Sequence, residues 1–364
     1  MDWLNLVKPG VVSLILALTI TPLVIKFYLH KHWLDDPTKQ THPKVVHQYP
    51  VPRGGGLVVG AAIILTSLIF LPLDQHLLGI LLGALVLMVT GWLDDVYNLN
   101  PYLRLALGLT SAGIVVLSGI GVAYVSNPLI PGTVINLSQP QIPIWVLGKL
   151  RTIWIWADLL ALIWILATMN FVNWAKGLDG QLPGIVVVAA MIIGVLSLRF
   201  VDDVTQWPVI TLAFILAGAY LGFLPYNFYP QKIMPGYGAG SLAGYFLAVL
   251  AILSGAKLAT AILVLGVPLI DAVYTVIRRL GKGRSPVWGD RGHLHHKLMA
   301  LGWGKRRIAV FYWLVSAGLG LLALNLNSRQ KLYTLVLLGV IIGASLLWLN
   351  NSFFYSKPAG RGKA

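Results

Sequence analysis

The sequence predicts an all-α, polytopic integral membrane protein, and three observations predict it. Hydrophobic residues make up 57% of the 364 and charged residues only 11%, under half the roughly 25% usual in soluble domains. The apolar residues fall in runs about as long as a helix that crosses a bilayer, and the runs are apolar around their whole circumference. The charged residues collect in the short segments between them. A soluble core cannot absorb that much apolar surface, whereas hydrocarbon can.

About eleven spans are predicted, near 11–28, 54–72, 77–93, 103–125, 152–169, 183–199, 207–224, 241–255, 258–276, 308–326 and 332–349. The first follows Lys8-Pro9, has no small-residue cleavage site and runs into charged sequence, so it reads as a span and not a removable signal. The run at 241–255 is short and Gly-rich and is the least span-like. Residues 126–151, rich in Pro and β-branched residues, predict a long outer loop with a short hairpin. With the 29–53 loop taken as cytoplasmic, 20 of the 27 Lys and Arg fall on that side. The positive-inside bias then places the N-terminus outside and the C-terminus in the cytoplasm, with the protein in the cytoplasmic membrane. The chain shows no internal repeat and reads as one membrane domain over residues 1–364.

The net charge is +15, there is no cysteine, and all twelve acidic residues are Asp. Without thiols, neither disulfides nor thiolate metal centres are available. A basic excess can signal nucleic acid or anionic lipid. In a chain of spans it reads as topology, with the bilayer as partner and no nucleic acid. Asp35, Asp36, Asp94, Asp95, Asp179, Asp271 and Asp290 fall on the same side as the bases. Topology does not require acids there, and a face carrying both signs suits chemistry on a charged, water-soluble substrate.

Four constellations stand out on that face. Asp94-Asp95 closes a span, with Arg104 further on. Two adjacent carboxylates at the end of an apolar helix are costly unless they meet water, a metal or a base. They suit magnesium or phosphate handling; the alternative is a polar helix terminus. In the second, Arg53 precedes Gly54-Gly55-Gly56 at a helix start. Such a run can cradle phosphate on backbone N–H groups, or it can let helices pack closely. The third is Asn170-Phe-Val-Asn173-Trp-Ala-Lys176-Gly177-Leu-Asp179-Gly180. Asn170 and Asn173 share a helix face and could bind a metal or a base edge, while Gly and Lys also simply end helices. The fourth, Asp290-Arg291-Gly292-His293-Leu294-His295-His296-Lys297, holds three of the eight His. The surrounding bases disfavour a transition metal there, and the imidazoles with Arg291 suit a diphosphate. A basic loop facing anionic lipid would explain the Arg and Lys but not the His.

Taken in order, these blocks resemble the polyprenyl-phosphate N-acetylhexosamine-1-phosphate transferases (glycosyltransferase family 4), from about residue 31 to 307. The His-x-His-His form is most similar to the undecaprenyl-phosphate GlcNAc-1-phosphate transferase branch. The resemblance implies transfer of a HexNAc 1-phosphate from a UDP-sugar to undecaprenyl or another polyprenyl phosphate, with release of UMP. It also implies a cytoplasmic active site and a possible homodimer. Carried over, Asp94 deprotonates or positions the lipid phosphate and Asp95 supports it. Asp179 contacts the uracil end, and Lys176 stands within the catalytic turn. Arg53, Arg104, Asn170, Asp271, Arg291, His293, His295 and His296 hold phosphates or substrate, and Asn173 is a metal ligand.

Two departures from the family pattern matter. Lys176 stands where the bacterial turn usually has its first Asp. The stretch Lys232-Ile-Met-Pro-Gly236-Tyr237-Gly238-Ala-Gly240-Ser241 contains no Asp, although the family's magnesium-binding carboxylate falls near Tyr237. The family implies a Mg2+ cofactor, and this stretch lacks the carboxylate that would hold it. A catalytically altered relative and a transporter or flippase are the competing readings. A transporter places its polar groups near the midplane, whereas here they gather at one face.

Overall fold

The computed structural model describes residues 3–38, 48–130, 132–146, 149–255, 258–283, 285 and 292–355. Its helices, in chain order, are α1 (Trp3–His30), α2 (Gly55–Phe70), α3 (Gln75–Tyr97), α4 (Pro101–Leu117), α5 (Ile155–Trp174), α6 (Gln181–Leu198) and α7 (Trp207–Asn227). They continue as α8 (Gly236–Leu253), α9 (Leu258–Val264), α10 (Gly266–Leu280), α11 (Leu294–Ala300), α12 (Lys305–Asn325) and α13 (Ser328–Tyr355). Among the described residues eight helices are long and apolar enough to cross a bilayer. The pair α9 and α10 passes the same test as one broken span, bent by 84°, and α2 and α4 are shorter apolar helices.

Each of the eleven predicted runs is therefore helical, but they are not eleven uniform spans. The run at 103–125 ends as helix at Leu117, and the one at 258–276 is bent near Leu265. The predicted outer hairpin is two. Strands β3 (Tyr124–Ser126) and β4 (Val134–Asn136) pair antiparallel, as do β5 (Gln141–Val146) and β6 (Lys149–Trp154). A further two-residue pair, β1 (Leu34–Asp35) with β2 (Val51–Pro52), anchors the first loop.

The least span-like run in the sequence forms the centre of the bundle. Helix α8 is buried along nearly its whole length, packed against α2, α3 and α5. Its glycines make this possible. A Cβ on Gly56 of α2 would lie 2.7 Å from the Cα of Gly238, and one on Gly91 of α3 would also strike that Cα. Three backbones thus cross with no side chain between them, the small-residue packing that brings membrane helices close. Gly56 follows Arg53 and Gly91 precedes Asp94, each by three positions, so the crossing gathers Arg53, Asp94, Asp95 and the start of α8 at one end of the bundle.

The candidate active site

Asp94 and Asp95 occupy the last turn of α3, which Asn98 ends in a left-handed conformation with φ 49°. Asp94 is buried, and both its oxygens accept from Arg104 Nη1 at 3.2 Å. Arg104 sits in the first turn of α4, whose start is fixed by Pro101 and by the Asn100 side chain accepting from Tyr102 N at 2.9 Å. Arg53 follows β2; its Nε donates to Asp35 Oδ2 at 2.8 Å and its Nη1 to Asn98 Oδ1 at 2.9 Å. Asp35, a buried carboxylate that sequence reasoning left without a role, orients that guanidinium.

Gly236 opens α8 with φ +63°, where a side chain is disfavoured. There is also no room for one, since a Cβ would lie 2.5 Å from Asp95 Oδ1. The bare glycine lets the Asp95 carboxylate reach the helix start, where it accepts from the Tyr237 N–H. Asp95 Oδ1 itself is sealed and accepts no hydrogen bond. On the other side, Lys176 Nζ donates to Gly236 O at 2.7 Å. Burial pulls the Lys176 ammonium down to about 7, against the opposing pull of Asp94 and Asp95 and with the help of Arg104 and Arg53. The Tyr237 ring faces Arg104 at 5.3 Å and Lys176 at 5.8 Å, distances at which the aromatic face attracts cations.

The turn after α5 is the hub of the site. Trp174 stacks on Arg279 at 5.2 Å and meets His293 at 6.0 Å. Gly177 takes the His295 ring against its bare Cα. Asp179 is buried and accepts from Gln231 N at 3.3 Å and Lys305 Nζ at 3.4 Å. Gly180, at φ +75°, donates to Asn227 Oδ1 at 3.0 Å. Asn170 turns inward on its own helix, Nδ2 to Leu166 O at 2.8 Å. The Asn173 Oδ1 is buried with no hydrogen bond, against Gly240.

The His block forms α11 and its entry. Asp271 of the bent span accepts from Leu294 N at 2.9 Å and lies 2.8 Å from His293 Nδ1. His293 and His295 stack at 5.6 Å, and His295 and His296 lie 4.3 Å apart. Burial, with His296 and His293 beside it, holds His295 well below the usual imidazole range, and its ring packs on the 177 turn. Arg291 and Asp290 lie outside the described residues.

The structure thus gathers Arg53, Asp94, Asp95, Arg104 and Lys176 around the start of α8, and His293, His295, Asp271 and Asp179 around the adjoining turn. The glycine run at 54–56 lets helices pack closely, and Gly55 N donates to Met234 O at 3.1 Å. Sequence reasoning missed Asp35, Trp174, Arg279 and Lys305. A Trp–Arg pair drawn from two distant helices, its arginine buried, leaves no local pattern to find.

A divalent metal does not suit this donor set. Both Asp94 oxygens are engaged by Arg104 and Gly236 O by Lys176, which leaves Asp95 Oδ1 and Asn173 Oδ1 as site oxygens without a hydrogen bond, one carboxylate and one amide. Among the described residues no three His, Asp or Glu side chains converge as ligands. A buried ammonium facing the same two carboxylates repels a dication.

Comparison with known proteins identifies the family. The family model described as glycosyl transferase family 4 matches residues 77–255. A probable undecaprenyl-phosphate N-acetylglucosaminyl 1-phosphate transferase of Bacillus subtilis (strain 168) is 28% identical, over 93% of this chain and 90% of the relative. A decaprenyl-phosphate N-acetylglucosaminephosphotransferase of Mycolicibacterium smegmatis is 30% identical, over 74% of this chain and 70% of its own. A phospho-N-acetylmuramoyl-pentapeptide-transferase of Moorella thermoacetica is 30% identical, over 88% of this chain and 98% of the relative. The chain belongs to glycosyl transferase family 4, as a multi-pass membrane phosphoglycosyl transferase.

Proposed function

We propose that this protein transfers a HexNAc 1-phosphate from a UDP-sugar to undecaprenyl or another polyprenyl phosphate, at the cytoplasmic face of the cytoplasmic membrane. The observation that carries the reading is a buried charged cluster adjoining an apolar cavity. The cavity, of about 500 Å³, lies between α5, α10 and α13 and is lined by Trp164, Phe171, Leu269, Tyr274 and Leu335 among others. Phe171 packs on Trp174 at 5.7 Å, and Trp174 touches His293 and Arg279. An isoprenoid tail suits the apolar side and its phosphate the basic side. The names and shared length of the relatives support the same substrates.

In the reaction, an oxygen of the lipid phosphate attacks the sugar-bearing phosphorus of the donor. One P–O bond forms to the lipid, the P–O bond to the bridging oxygen breaks, and UMP leaves with that electron pair. A phosphate monoester has a second pKa of about 6, so some acceptor arrives with a proton; Asp94, oriented by Arg104, accepts it. Asp95 holds the start of α8 in place, and Arg53, Arg104 and Lys176 balance the phosphates. Asn170, His293, His296 and Asp271 shape the phosphate end of the site. Asp179, with Lys305, stands where the donor's uracil end is read.

The test is UMP release by purified protein given several UDP-HexNAc donors and undecaprenyl phosphate. Asp94→Asn keeps the size and removes the base, and is expected to cost about 10²–10⁴ in kcat. Near wild-type turnover by the folded variant would remove Asp94 from the chemistry.

A further inference from the structure

Around the start of α8 the protein's cations and carboxylates face one another. Arg53, Arg104 and Lys176 face Asp35, Asp94 and Asp95, three cations against three carboxylates. A dication added there would sit beside the Lys176 ammonium, which repels it. The position where the family's metal carboxylate falls holds Tyr237, whose ring offers a π face to Arg104 and Lys176 and no anionic oxygen. The Tyr237 hydroxyl is turned away, donating to Arg104 O at 3.3 Å. Two changes thus meet in one place: a carboxylate is missing at 237, and a cation reaches the same helix start from 176.

We propose that Lys176 is a resident cation that replaces the divalent metal, so that this transferase binds and turns over its diphosphate substrate without magnesium. The proposal rests on the transferase reading above. Lys176 Nζ is anchored on Gly236 O at 2.7 Å, which leaves two ammonium hydrogens for phosphate oxygens. A lysine engages phosphate as a point charge. It carries half the charge of magnesium, and Arg104 and Arg53 supply the remainder on the same side of the pocket. Because Lys176 is tethered to the protein, no metal equilibrium precedes substrate binding.

Two measurements separate the cation from the reaction. Purified protein stripped with EDTA is assayed for UMP release with UDP-HexNAc and undecaprenyl phosphate. The same protein, without substrates, is titrated with Mn2+ while free Mn2+ is read by electron paramagnetic resonance. Stripped wild type is expected to keep most of its turnover and to retain no stoichiometric Mn2+. Lys176→Met is expected to lose about 10²–10³ in turnover, the usual cost of deleting one fixed charge-stabilising donor, and Lys176→Arg to stay within about tenfold of wild type as a retained cation. Lys176→Asp adds a fourth carboxylate to the cluster and is expected to bind Mn2+ and become metal-dependent. Loss of wild-type turnover in EDTA with recovery in magnesium overturns the proposal, as does one tightly held Mn2+ on wild type. UMP release under neither condition overturns the transferase reading alone, and the Mn2+ titration, which needs no turnover, still decides the cation. Should Lys176→Met fail to fold, the wild-type arms and Lys176→Arg carry the test.

Discussion

A lysine buried between two carboxylates and two guanidinium groups is a titrating element as well as a charge. Asp94 and Asp95 favour its ammonium; burial, Arg104 and Arg53 oppose it, and the outcome is about 7. A depressed lysine is charged below that value and neutral above it. If the ammonium binds the donor's diphosphate, kcat/KM falls as pH rises through about 7, since that ratio reports the free enzyme. The corresponding limb of kcat lies at higher pH, because bound phosphate favours the charged form. Lys176→Arg keeps its charge throughout and should remove the limb; an unchanged profile in that variant would assign the limb to another group. His295 makes a contrasting case. Burial holds it below the usual imidazole range, its Nε2 has no hydrogen-bond partner, and its ring lies on Gly177. Gly177→Ala would drive a methyl group into the imidazole, so we expect it to cost activity by moving the 174–180 turn, with a loss at least as large as that of His295→Ala. Full activity in Gly177→Ala would show that the contact positions nothing.

At the scale of elements, the site depends on how closely three helices cross. Gly56, Gly91 and Gly238 are buried where α2, α3 and α8 meet, backbone against backbone. Neither neighbour is a flexible side chain that could swing away, so Gly91→Ala forces α3 and α8 apart. Overpacking of this kind costs about 1–3 kcal/mol. We expect a lowered Tm in detergent and a disproportionate loss of turnover, because Asp94 and Asp95 follow Gly91 by one turn on the displaced helix. Wild-type Tm and turnover in Gly91→Ala would show that the crossing has slack. The bend of 84° between α9 and α10 has a positioning consequence of its own. It turns α10 so that Asp271 reaches His293 while Leu269, Ile270 and Tyr274 line the apolar cavity.

At the scale of the molecule, charge and apolarity are separated along the bundle. The charged cluster, α11 and the β1–β2 pair lie at one end, and the two hairpins β3–β4 and β5–β6 join α4 to α5 at the other. We propose that the first end faces the cytoplasm, as the positive-inside bias expects. The chain has no native cysteine, so single replacements can be labelled without background. Leu129→Cys, at a position 75% exposed on the hairpin side, should react with an impermeant maleimide in intact cells. Tyr97→Cys, at a position 69% exposed beside the Asp pair, should react only after permeabilisation. The reverse pattern would invert the topology and place the chemistry outside.

What the sequence by itself determined is the class of molecule and the chemistry-bearing blocks. Apolar runs of span length require helices in hydrocarbon, because every backbone polar group must be satisfied within the segment. Adjacent Asp at a span end, and a His cluster among bases, are costly enough to mark function without coordinates. Hydropathy counts residues, however, and does not see packing. It ranked the 241–255 run lowest, although α8, Gly-rich because other backbones press against it, is the buried centre. It read 258–276 as one straight span, because a bend leaves composition unchanged. Only the tertiary structure decided that Lys176 and Tyr237, 61 positions apart, converge on Asp95 through the bare Cα of Gly236. It also recruited Asp35, Trp174, Arg279 and Lys305. Asp35 meets Arg53 beside the β1–β2 pair, and Trp174 with Arg279 and Lys305 with Asp179 meet across the bundle; such pairs are set by where backbones cross, which no local run of residues encodes.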